Sequence, residues 1–259
     1  QVFICGRRES VLNETVEEIT TAGGIAKAHV CDIRAAGAVD EMIDKIWLDG
    51  GPLTGLVNNA AGNFISPTKD LSTNGFDAIS NIVFKGSFYV THACGKRWIE
   101  EKTKASVISI LTTWVWNGGP YTVPSAMSKA GINIMTKSLA AEWGKYGIRL
   151  NAISPGPFPT KGAWDRLNPN QGTDEDLGNS SIPMGRNGCM PELRNLATFL
   201  MADGCEYLTG QNIAIDGAAH LASGGNFYQS LDSLTDSDWS GIKEMIKSSN
   251  EVDKSNRSN

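Results

Sequence analysis

Short apolar runs alternate with amphipathic stretches along most of the chain. Between the runs, apolar residues recur every three or four positions, which predicts helices over 9–22, 38–48, 74–101 and 191–201. The runs are rich in β-branched residues, which predicts strands at Val2–Cys5, Ile25–Cys31, Leu53–Val57, Ser106–Leu111 and Asn212–Ile215. Strands that alternate with helices indicate βαβ units, and therefore an α/β fold with a doubly wound parallel sheet in a single domain.

One stretch of this pattern, from Pro120 to Pro157, combines a loop, a long helix and a buried strand that ends in a Pro-Gly-Pro turn. Ser125 and Lys129 are four residues apart at the start of the helix, so their side chains project from one face. A hydroxyl beside an ammonium, facing such a turn, indicates the edge of an active site. Because the same spacing is common in helices without a catalytic role, this interpretation needs support from the rest of the chain.

The front of the chain lacks a feature of nucleotide-binding folds. Doubly wound folds of the Rossmann type begin with a strand and a glycine-rich turn that meets the pyrophosphate. No strand followed by such a turn occurs here, so we expect the first βα unit to be lacking and the sheet to contain a gap. The natural gene product would then be longer than this sequence by roughly 30–50 residues. Arg7 and Arg8 follow the first predicted strand and suit a 2′-phosphate, although solvated arginines are an equal alternative.

The C-terminal part has a different pattern. Thr235 to Lys247 reads as a capped amphipathic helix, with Thr235 at the N-cap and Asp238 three residues later. Ser248 to Asn259 is polar and low in complexity, which predicts disorder. The sequence therefore predicts a catalytic-type domain at 1–231, a helical extension at 232–247 and a disordered tail at 248–259.

Composition narrows the possible partners. The formal net charge of −5 and the pI near 5.3 argue against nucleic acid as the main partner. No apolar run approaches the roughly 20 residues that a membrane-spanning helix requires. The five cysteines are scattered without a CxxC pair and the three histidines lack ligand spacing, so neither a disulfide framework nor a metal site is expected.

Three motifs in chain order carry a family resemblance. NNAAG, SxxxK on a long helix and NAISPGP together resemble the short-chain dehydrogenase/reductase family. The longer stretches GNFISPT, VPSAMSKAG, KSLAAEWGKYGIR and PGPFPTKGA are similar to the mitochondrial type of 2,4-dienoyl-CoA reductases. This resemblance implies NADPH-dependent reduction of 2,4-dienoyl-CoA thioesters to enoyl-CoA in unsaturated fatty-acid β-oxidation. It also implies a homotetramer and a mitochondrial location, with peroxisome and cytoplasm as alternatives.

The resemblance assigns roles to particular residues. Asn63 matches the donor to the thioester carbonyl, Lys129 matches the lysine that holds the nicotinamide ribose, and Ser125 supports the lysine without acting as an acid. Among the cofactor positions, Arg7 matches the residue that binds the 2′-phosphate and Asp32 matches the carboxylate beside the adenine. The full set of cofactor positions is Arg7, Arg8, Asp32, Asn59, Lys129, Pro155, Gly156, Pro157 and Phe158. The substrate positions are Arg7, Asn63, Phe64, Ser72 and Arg166, the last of these at the CoA end.

One departure from the family pattern concerns the second donor to the thioester oxygen. The family places a tyrosine two residues after a Thr-Thr pair, whereas Val115 stands there in this chain. Valine cannot donate a hydrogen bond, and the loss of one such donor typically costs about 10²–10³ in rate. Tyr121 lies in the same loop at a different backbone position, and Trp114 and Trp116 carry indole N–H groups.

Three functions therefore stay open at this point. The first is a 2,4-dienoyl-CoA reductase that uses NADPH. The second is a related short-chain reductase that acts on another acyl thioester. The third is a non-catalytic family member that binds ligand or assembles with a partner, which the missing glycine-rich turn and Val115 favour.

Overall fold

The computed structural model describes residues 1–159, 182–222, 234–242 and 244. Clustering of the backbone divides the chain into a large unit, Gln1–His220, and a small one, Leu221–Asn259. The large unit contains the predicted sheet and its helices. The chain therefore has the expected α/β architecture.

The strands of the large unit form two parallel sheets. The first pairs β1 (Val2–Gly6) with β2 (Ala26–Val30), so that Val2 lies opposite Ala26 and Gly6 opposite Val30. The second has the order β3-β4-β5-β6 and is built from Gly55–Asn58, Ala105–Ile110, Ile148–Pro155 and Asn212–Ile215. The predicted strands are confirmed within two residues at each end, and the last one to the residue.

Helices connect these strands. The longer ones are α1 (Glu9–Thr21), α2 (Ala36–Gly50), α3 (Thr73–Ser80), α4 (Ser87–Glu101), α6 (Val123–Trp143) and α7 (Met190–Met201). The single helix predicted over 74–101 is divided, because the π-helical segment Asn81–Gly86 lies between α3 and α4. Two short helices, α5 (Trp114–Asn117) and α8 (Ala219–Ala222), were not predicted from the sequence.

Two apolar clusters cover opposite faces of β4. Val107 packs with buried residues of α2, α4 and α6, among them Val39, Trp98 and Trp143. The next residue, Ile108, packs with Ile153 of β5 and Leu200 of α7. Since successive side chains of a strand point to opposite faces, the four-stranded sheet has helices on both sides.

All six strands run in the same direction. The amide of Asn58, at the end of β3, donates to Thr91 at 2.8 Å, whereas the indole N–H of Trp98 donates to the carbonyl of Leu53 at 2.6 Å. The helix α4 is therefore antiparallel to β3. Ile33, just after β2, packs on Gly86 directly before α4, so the carboxyl ends of β2 and β3 lie at the same end of that helix.

An opening separates β1 from β3. Each of these strands has a strand partner on one side only within the described residues, and the cavity between them has a volume of about 730 Å³. Its apolar lining comes from both strands and from four helices, and includes Leu12, Met42, Ile43, Ile46, Val57, Val90 and Met201. The opening lies where the sequence analysis expects a gap in the sheet.

The small unit is described only in part. Residues 236–242 are helical, and the side chains of Thr235 and Asp238 cap this segment as predicted, with the Thr235 hydroxyl 2.6 Å from the carboxylate. The tail at 248–259 lies outside the described residues. Among the described helices, none is long and apolar enough to cross a bilayer.

Candidate active site

The carboxyl ends of the parallel strands bring the predicted site residues to one edge of the molecule. Each strand is followed there by a residue with a polar group or by a glycine turn, namely Arg7, Asp32, Asn59, Thr112, Gly156 and Asp216. In open α/β sheets, ligands bind in the crevice at this edge. The structure therefore supports the placement of the candidate site at the ends of β1 to β6.

Lys129 lies in the second turn of α6 with only 7% of its surface exposed. Its ammonium donates a hydrogen bond to the carbonyl oxygen of Ile110, the last residue of β4. Because burial disfavours the charged form, the pKa of Lys129 is lowered to about 8. An ammonium carries three donors, so the bond to Ile110 fixes its position and leaves donors for a ligand.

Ser125 lies one turn before Lys129 on the same buried face of α6. Its backbone N–H donates to the carbonyl of Thr122 at 3.0 Å, within the turn that starts the helix. Pro124, at the second position of the helix, costs no hydrogen bond there and fixes the backbone. The predicted proximity of the serine and the lysine is thus a property of the first two turns.

Asn63 lies in the loop after β3, and its side chain has a defined orientation. The Oδ1 atom accepts a hydrogen bond from the backbone N–H of Phe64 at 2.9 Å. An amide has one acceptor end and one donor end, so this bond directs the Nδ2 end as the donor. The arrangement agrees with the donor role that the resemblance gives to Asn63.

Val115 does not contribute to the polar part of the edge. It packs against an apolar cluster of Leu111, Ile132 and Ala152, together with Met135. Its helix α5 ends at Gly118, which has a φ of 78°. The side chain at the position of the family's tyrosine is therefore half-buried and packs on the apolar cluster beneath the edge.

The end of the two-stranded sheet carries three arginines and one carboxylate. Arg7 and Arg8 are exposed after β1. The carboxylate of Asp32 accepts from Nε of Arg34 at 2.9 Å and from its backbone N–H at 3.1 Å. These hydrogen bonds, with a smaller contribution from the charge of Arg7, lower the pKa of Asp32 to about 2. Asp32 is thus ionised at neutral pH and holds Arg34, which the sequence analysis did not single out.

The turn after β5 is fixed by its contact with the end of β6. The backbone N–H of Gly156 donates to the carbonyl of Ile215 at 3.0 Å. A Cβ atom at Gly156 would lie 2.6 Å from the Cβ of Asp216, so only glycine fits. Phe158 covers Gly188 in the same way, while Pro155 ends the strand and Pro157 continues the turn. The predicted cofactor segment is therefore a rigid element of the edge.

The predicted substrate residues differ in their surroundings. Phe64 is half-buried and approaches Gly75 at the start of α3. The hydroxyl of Ser72 accepts from the backbone N–H of Gly75 at 3.0 Å and is the N-cap of α3, a structural role that the sequence analysis did not assign. Arg166 lies outside the described residues.

Two features of this edge were not found from the sequence. The π-helical segment begins at Asn81, and its Phe84 packs on Gly131 of α6, two residues after Lys129. Such segments are frequent at functional sites. At the end of β6, Nδ1 of His220 lies 2.7 Å from the carboxylate of Asp216, and the imidazole stacks on the indole of Trp116 with centroids 4.8 Å apart. Neither feature changes the spacing of apolar residues, so the sequence pattern could not predict it.

Comparison with known proteins identifies the family. A family model described as enoyl-(acyl carrier protein) reductase matches residues 1–220. A Caenorhabditis elegans protein named probable 2,4-dienoyl-CoA reductase, (3E)-enoyl-CoA-producing, is 43% identical over 250 residues, which cover 95% of this chain and 81% of the relative. The chain belongs to the short-chain dehydrogenase/reductase family.

Two further members of this oxidoreductase family extend the comparison. A Bacillus subtilis protein named probable 2,4-dienoyl-CoA reductase, (2E)-enoyl-CoA-producing, is 38% identical, with 85% of this chain and 87% of the relative covered. The crystal structure of a gluconate 5-dehydrogenase from Burkholderia cenocepacia in complex with NADP and tartrate has a TM-score of 0.79 and 25% identity, and the match covers 85% of this chain and 86% of that one.

The edge suits a nicotinamide dinucleotide, the cofactor type of that structural neighbour. Exposed arginines lie at the end of β1 where a phosphate would sit, and the buried ammonium of Lys129 lies at the end of β4 where a ribose diol would find a donor. Within the described residues, no group of three potential metal ligands is present.

Proposed function

We propose that this chain is an NADPH-dependent 2,4-dienoyl-CoA reductase. The observation that carries the proposal is the amide of Asn63 in the loop after β3, whose Oδ1 is engaged by the N–H of Phe64 so that Nδ2 is its donor end, at the same carboxyl edge as Lys129. Relatives with 38–44% identity that bear this name support the assignment. Serine in place of an acid at position 125 supports reduction of a carbon–carbon double bond over carbonyl reduction, which would require a proton donor there.

The residues of the chain supply binding, orientation and electrostatic stabilisation, and NADPH supplies a hydride when bound. When bound, NADPH would supply this hydride to C5 of the conjugated thioester, and negative charge would then develop on the thioester oxygen. Nδ2 of Asn63 donates to that oxygen, which stabilises the dienolate. Lys129 holds the ribose that carries the nicotinamide, and its positive charge favours the same dienolate. Ser125 borders the ammonium of Lys129 and keeps its proton.

We assign the cofactor contacts to the residues that follow β1, β2, β3 and β5. Arg7 reads the 2′-phosphate with Arg8 beside it, and Asp32 borders the adenine while it holds Arg34. The backbone after β3 and after β5 lines the rest of the cofactor through Asn59 and through Pro155, Gly156, Pro157 and Phe158. The rigid fit of Gly156 against Asp216 supports this role. The substrate contacts are Arg7, Asn63, Phe64, Ser72 and Arg166.

The product is a (3E)-enoyl-CoA in our proposal. A proton taken up from water at C2 of the dienolate leaves the double bond at C3, whereas a proton taken up from water at C4 leaves it at C2. The relatives that match at 43% and 44% identity are named (3E)-enoyl-CoA-producing, and the one at 38% is named (2E)-enoyl-CoA-producing. Product analysis by chromatography against both isomers decides between them.

The decisive experiment measures NADPH oxidation with 2,4-hexadienoyl-CoA as the substrate. Crotonyl-CoA and acetoacetyl-CoA serve as controls, since they test reduction of a simple enoyl thioester and of a ketone. We expect turnover with the dienoyl thioester alone. Turnover with acetoacetyl-CoA alone would favour the second candidate, a related reductase on another acyl thioester. Tight binding of NADPH without any turnover would favour a non-catalytic member, a reading supported by the valine that stands in place of the family's tyrosine and packs on apolar residues.

We further propose a homotetramer in the mitochondrion, with peroxisome or cytoplasm as alternative locations. The long helices α4 and α6 would form the interfaces, because Phe88, Met127 and Ile134 are exposed on them although they are apolar. Ile132, in contrast, is buried and belongs to the core of the chain. Light scattering in solution tests the tetramer, and microscopy of the full-length protein tests its location.

The domain organisation proposed here keeps a reductase domain at 1–231, a helical extension at 232–247 and a tail at 248–259. The opening between β1 and β3 has room for a further parallel strand. The support is the cavity of about 730 Å³, whose apolar lining and two strand edges suit a parallel strand. Such a strand would end at the same edge as Arg7 and Asn59, so the turn after it would meet the pyrophosphate.

A further inference from the structure

Tyr121 has an unusual backbone conformation for an aromatic residue. Its φ is 63°, and among the described residues only Lys102 and Ala218 share a positive φ without being glycine. For a bulky side chain this region is disfavoured by sterics, and residues held there cluster at functional sites. Tyr121 lies in the loop between α5 and α6, four residues before Ser125. The strain therefore occurs directly beside the candidate site.

A hydrogen bond joins Tyr121 to the loop that carries Asn63. The backbone N–H of Ser66 donates to the carbonyl oxygen of Tyr121 at 2.9 Å. On the other side, the N–H and the hydroxyl of Thr122 both bond to the carbonyl of Gly119 at 3.1 Å, and Thr122 is buried. The backbone of Tyr121 is thus held between two fixed points, one of them three residues from Asn63.

The side chain of Tyr121 is free of the core. It is 62% exposed in this ligand-free structure, whereas Val115, five residues after β4, packs inward against Leu111 and Ile132. The other described tyrosines lie elsewhere: Tyr89 packs in the cluster under β4, Tyr146 lies at the far end of α6, and Tyr207 lies after α7. Tyr121 is the one described phenol in the loops that border Asn63.

We propose that the phenol of Tyr121 is the second hydrogen-bond donor to the thioester oxygen, beside Nδ2 of Asn63. This inference rests on the proposed function. The side chain rotates over the acyl thioester when it binds, donates its O–H to the oxygen and keeps its proton throughout. The strained backbone and the bond from Ser66 hold the main chain of Tyr121 beside the loop of Asn63, so in this proposal the donor comes from the loop before α6 and not from α5.

The test compares Tyr121→Phe with Tyr146→Phe, which removes a phenol at the other end of α6. We expect Tyr121→Phe to lower kcat for 2,4-hexadienoyl-CoA about 10²–10³-fold with an unchanged Kd for NADPH, and Tyr146→Phe to leave both unchanged. A wild-type kcat in Tyr121→Phe, in an enzyme that reduces the dienoyl thioester, would refute the role of Tyr121 and leave the proposed function intact.

A second variant separates the donor role from the backbone strain. Glycine adopts positive φ without strain, so Tyr121→Gly should raise the melting temperature while it lowers kcat as much as Tyr121→Phe does. If Tyr121→Phe lost activity only because it unfolded, its melting temperature would fall and the inference would fail.

A spectroscopic measurement needs no turnover. The absorption of bound 2,4-hexadienoyl-CoA shifts to longer wavelength when donors polarise its thioester carbonyl, and NADP⁺ in place of NADPH prevents reduction. We expect Tyr121→Phe and Asn63→Ala each to reduce this shift, and the double variant to abolish it. If Tyr121→Phe shows the same shift as the wild type, the assignment of Tyr121 is wrong. The assignment is also wrong if the wild-type complex shows no shift. Both outcomes can be read even if the chain reduces no dienoyl thioester.

Discussion

The two sheets of this molecule differ in burial although both are parallel and carry site residues. Every residue of β4 and β5 except the last is buried, whereas no residue of β1 or β2 is. β5 lies between β4 and β6, but β1 has β2 on one side and an opening on the other. A parallel sheet gains its stability from neighbours on both edges and both faces, so the two-stranded part depends on what fills the opening.

The cavity volume gives this comparison a magnitude. The opening has a volume of about 730 Å³ and is accessible to solvent, so it is not an enclosed void of the core. Either water enters the opening or another segment fills it. Val57, which is 48% exposed on the β3 edge, would become a core residue in the second case. The ammonium of Lys129 thus lies beside the end of β4 in the four-stranded sheet, whereas Arg7 and Arg8 follow β1 of the two-stranded sheet.

The largest effect that this comparison predicts is on catalysis in the four-stranded part. Lys129→Ala removes the buried ammonium at the end of β4, so we expect kcat to fall at least 10²–10³-fold and the Kd for NADPH to rise. Lys137→Ala, at an exposed position of the same helix, should change neither quantity. Steady-state kinetics and NADPH fluorescence measure both. A Lys129→Ala variant with wild-type rates would remove Lys129 from the site.

A core substitution tests the same contrast through stability. Ile153→Ala in β5 deletes a fully buried side chain, which we expect to cost about 2–5 kcal/mol of unfolding free energy. Val30→Ala in β2 truncates a side chain that is 58% exposed, and should cost no more than about 0.5 kcal/mol. Urea denaturation of the two variants gives these differences. Equal losses would mean that β2 is as well packed as β5.

The sequence predicted the strands of both sheets, because an apolar run bounded by polar or glycine residues reports a buried strand wherever its partners lie. It did not predict the division of the helix over 74–101. The π-helical turn at Asn81–Gly86 inserts into a helix without a break in apolar spacing, so only the hydrogen-bond geometry discloses it. The short helix Trp114–Asn117 was missed for a related reason, since one turn has no period to detect.

At the site, the sequence predicted residues better than it predicted their contacts. The spacing of Ser125 and Lys129 sufficed to place both on one buried face, and the carbonyl of Ile110 as the partner of Lys129 required the tertiary fold. The ion pair of Asp32 with Arg34 could have been predicted, because the two residues are two positions apart just after a strand. The packing of Val115 could not be predicted from the sequence, because a single valine in a short helical turn carries no sign of the direction in which its side chain points.

The burial of Lys129 also predicts a pH dependence of stability. Its pKa is about 8 in the folded chain and near 10.5 when the group is solvated. Between these values the unfolded chain binds more protons, so the unfolding free energy rises with pH through this window, by on the order of 3 kcal/mol. Lys129→Met should lose that rise, which urea denaturation at several pH values measures. An identical pH profile in the variant would assign the rise to other groups.

The same titration acts on catalysis with the opposite sign. The ammonium must be charged to hold the ribose and to favour the dienolate, so kcat/KM should fall about tenfold per pH unit above pH 8. A flat profile up to pH 10 would show that the free enzyme does not depend on this proton.

The smallest effect concerns the arginines of the two-stranded sheet. Arg7→Ala removes an exposed guanidinium after β1, and a lost charge-assisted hydrogen bond costs about 1.5–3 kcal/mol. We expect the Kd for NADPH to rise roughly tenfold to a hundredfold, while the Kd for NADH and the value of kcat stay the same. Arg194→Ala serves as a charge-matched control, because Arg194 is exposed on α7 and its Nε donates to the carbonyl of Met190 in the same helix. If the Kd for NADPH responds to Lys129→Ala but not to Arg7→Ala, Arg7 does not bind the 2′-phosphate in this chain.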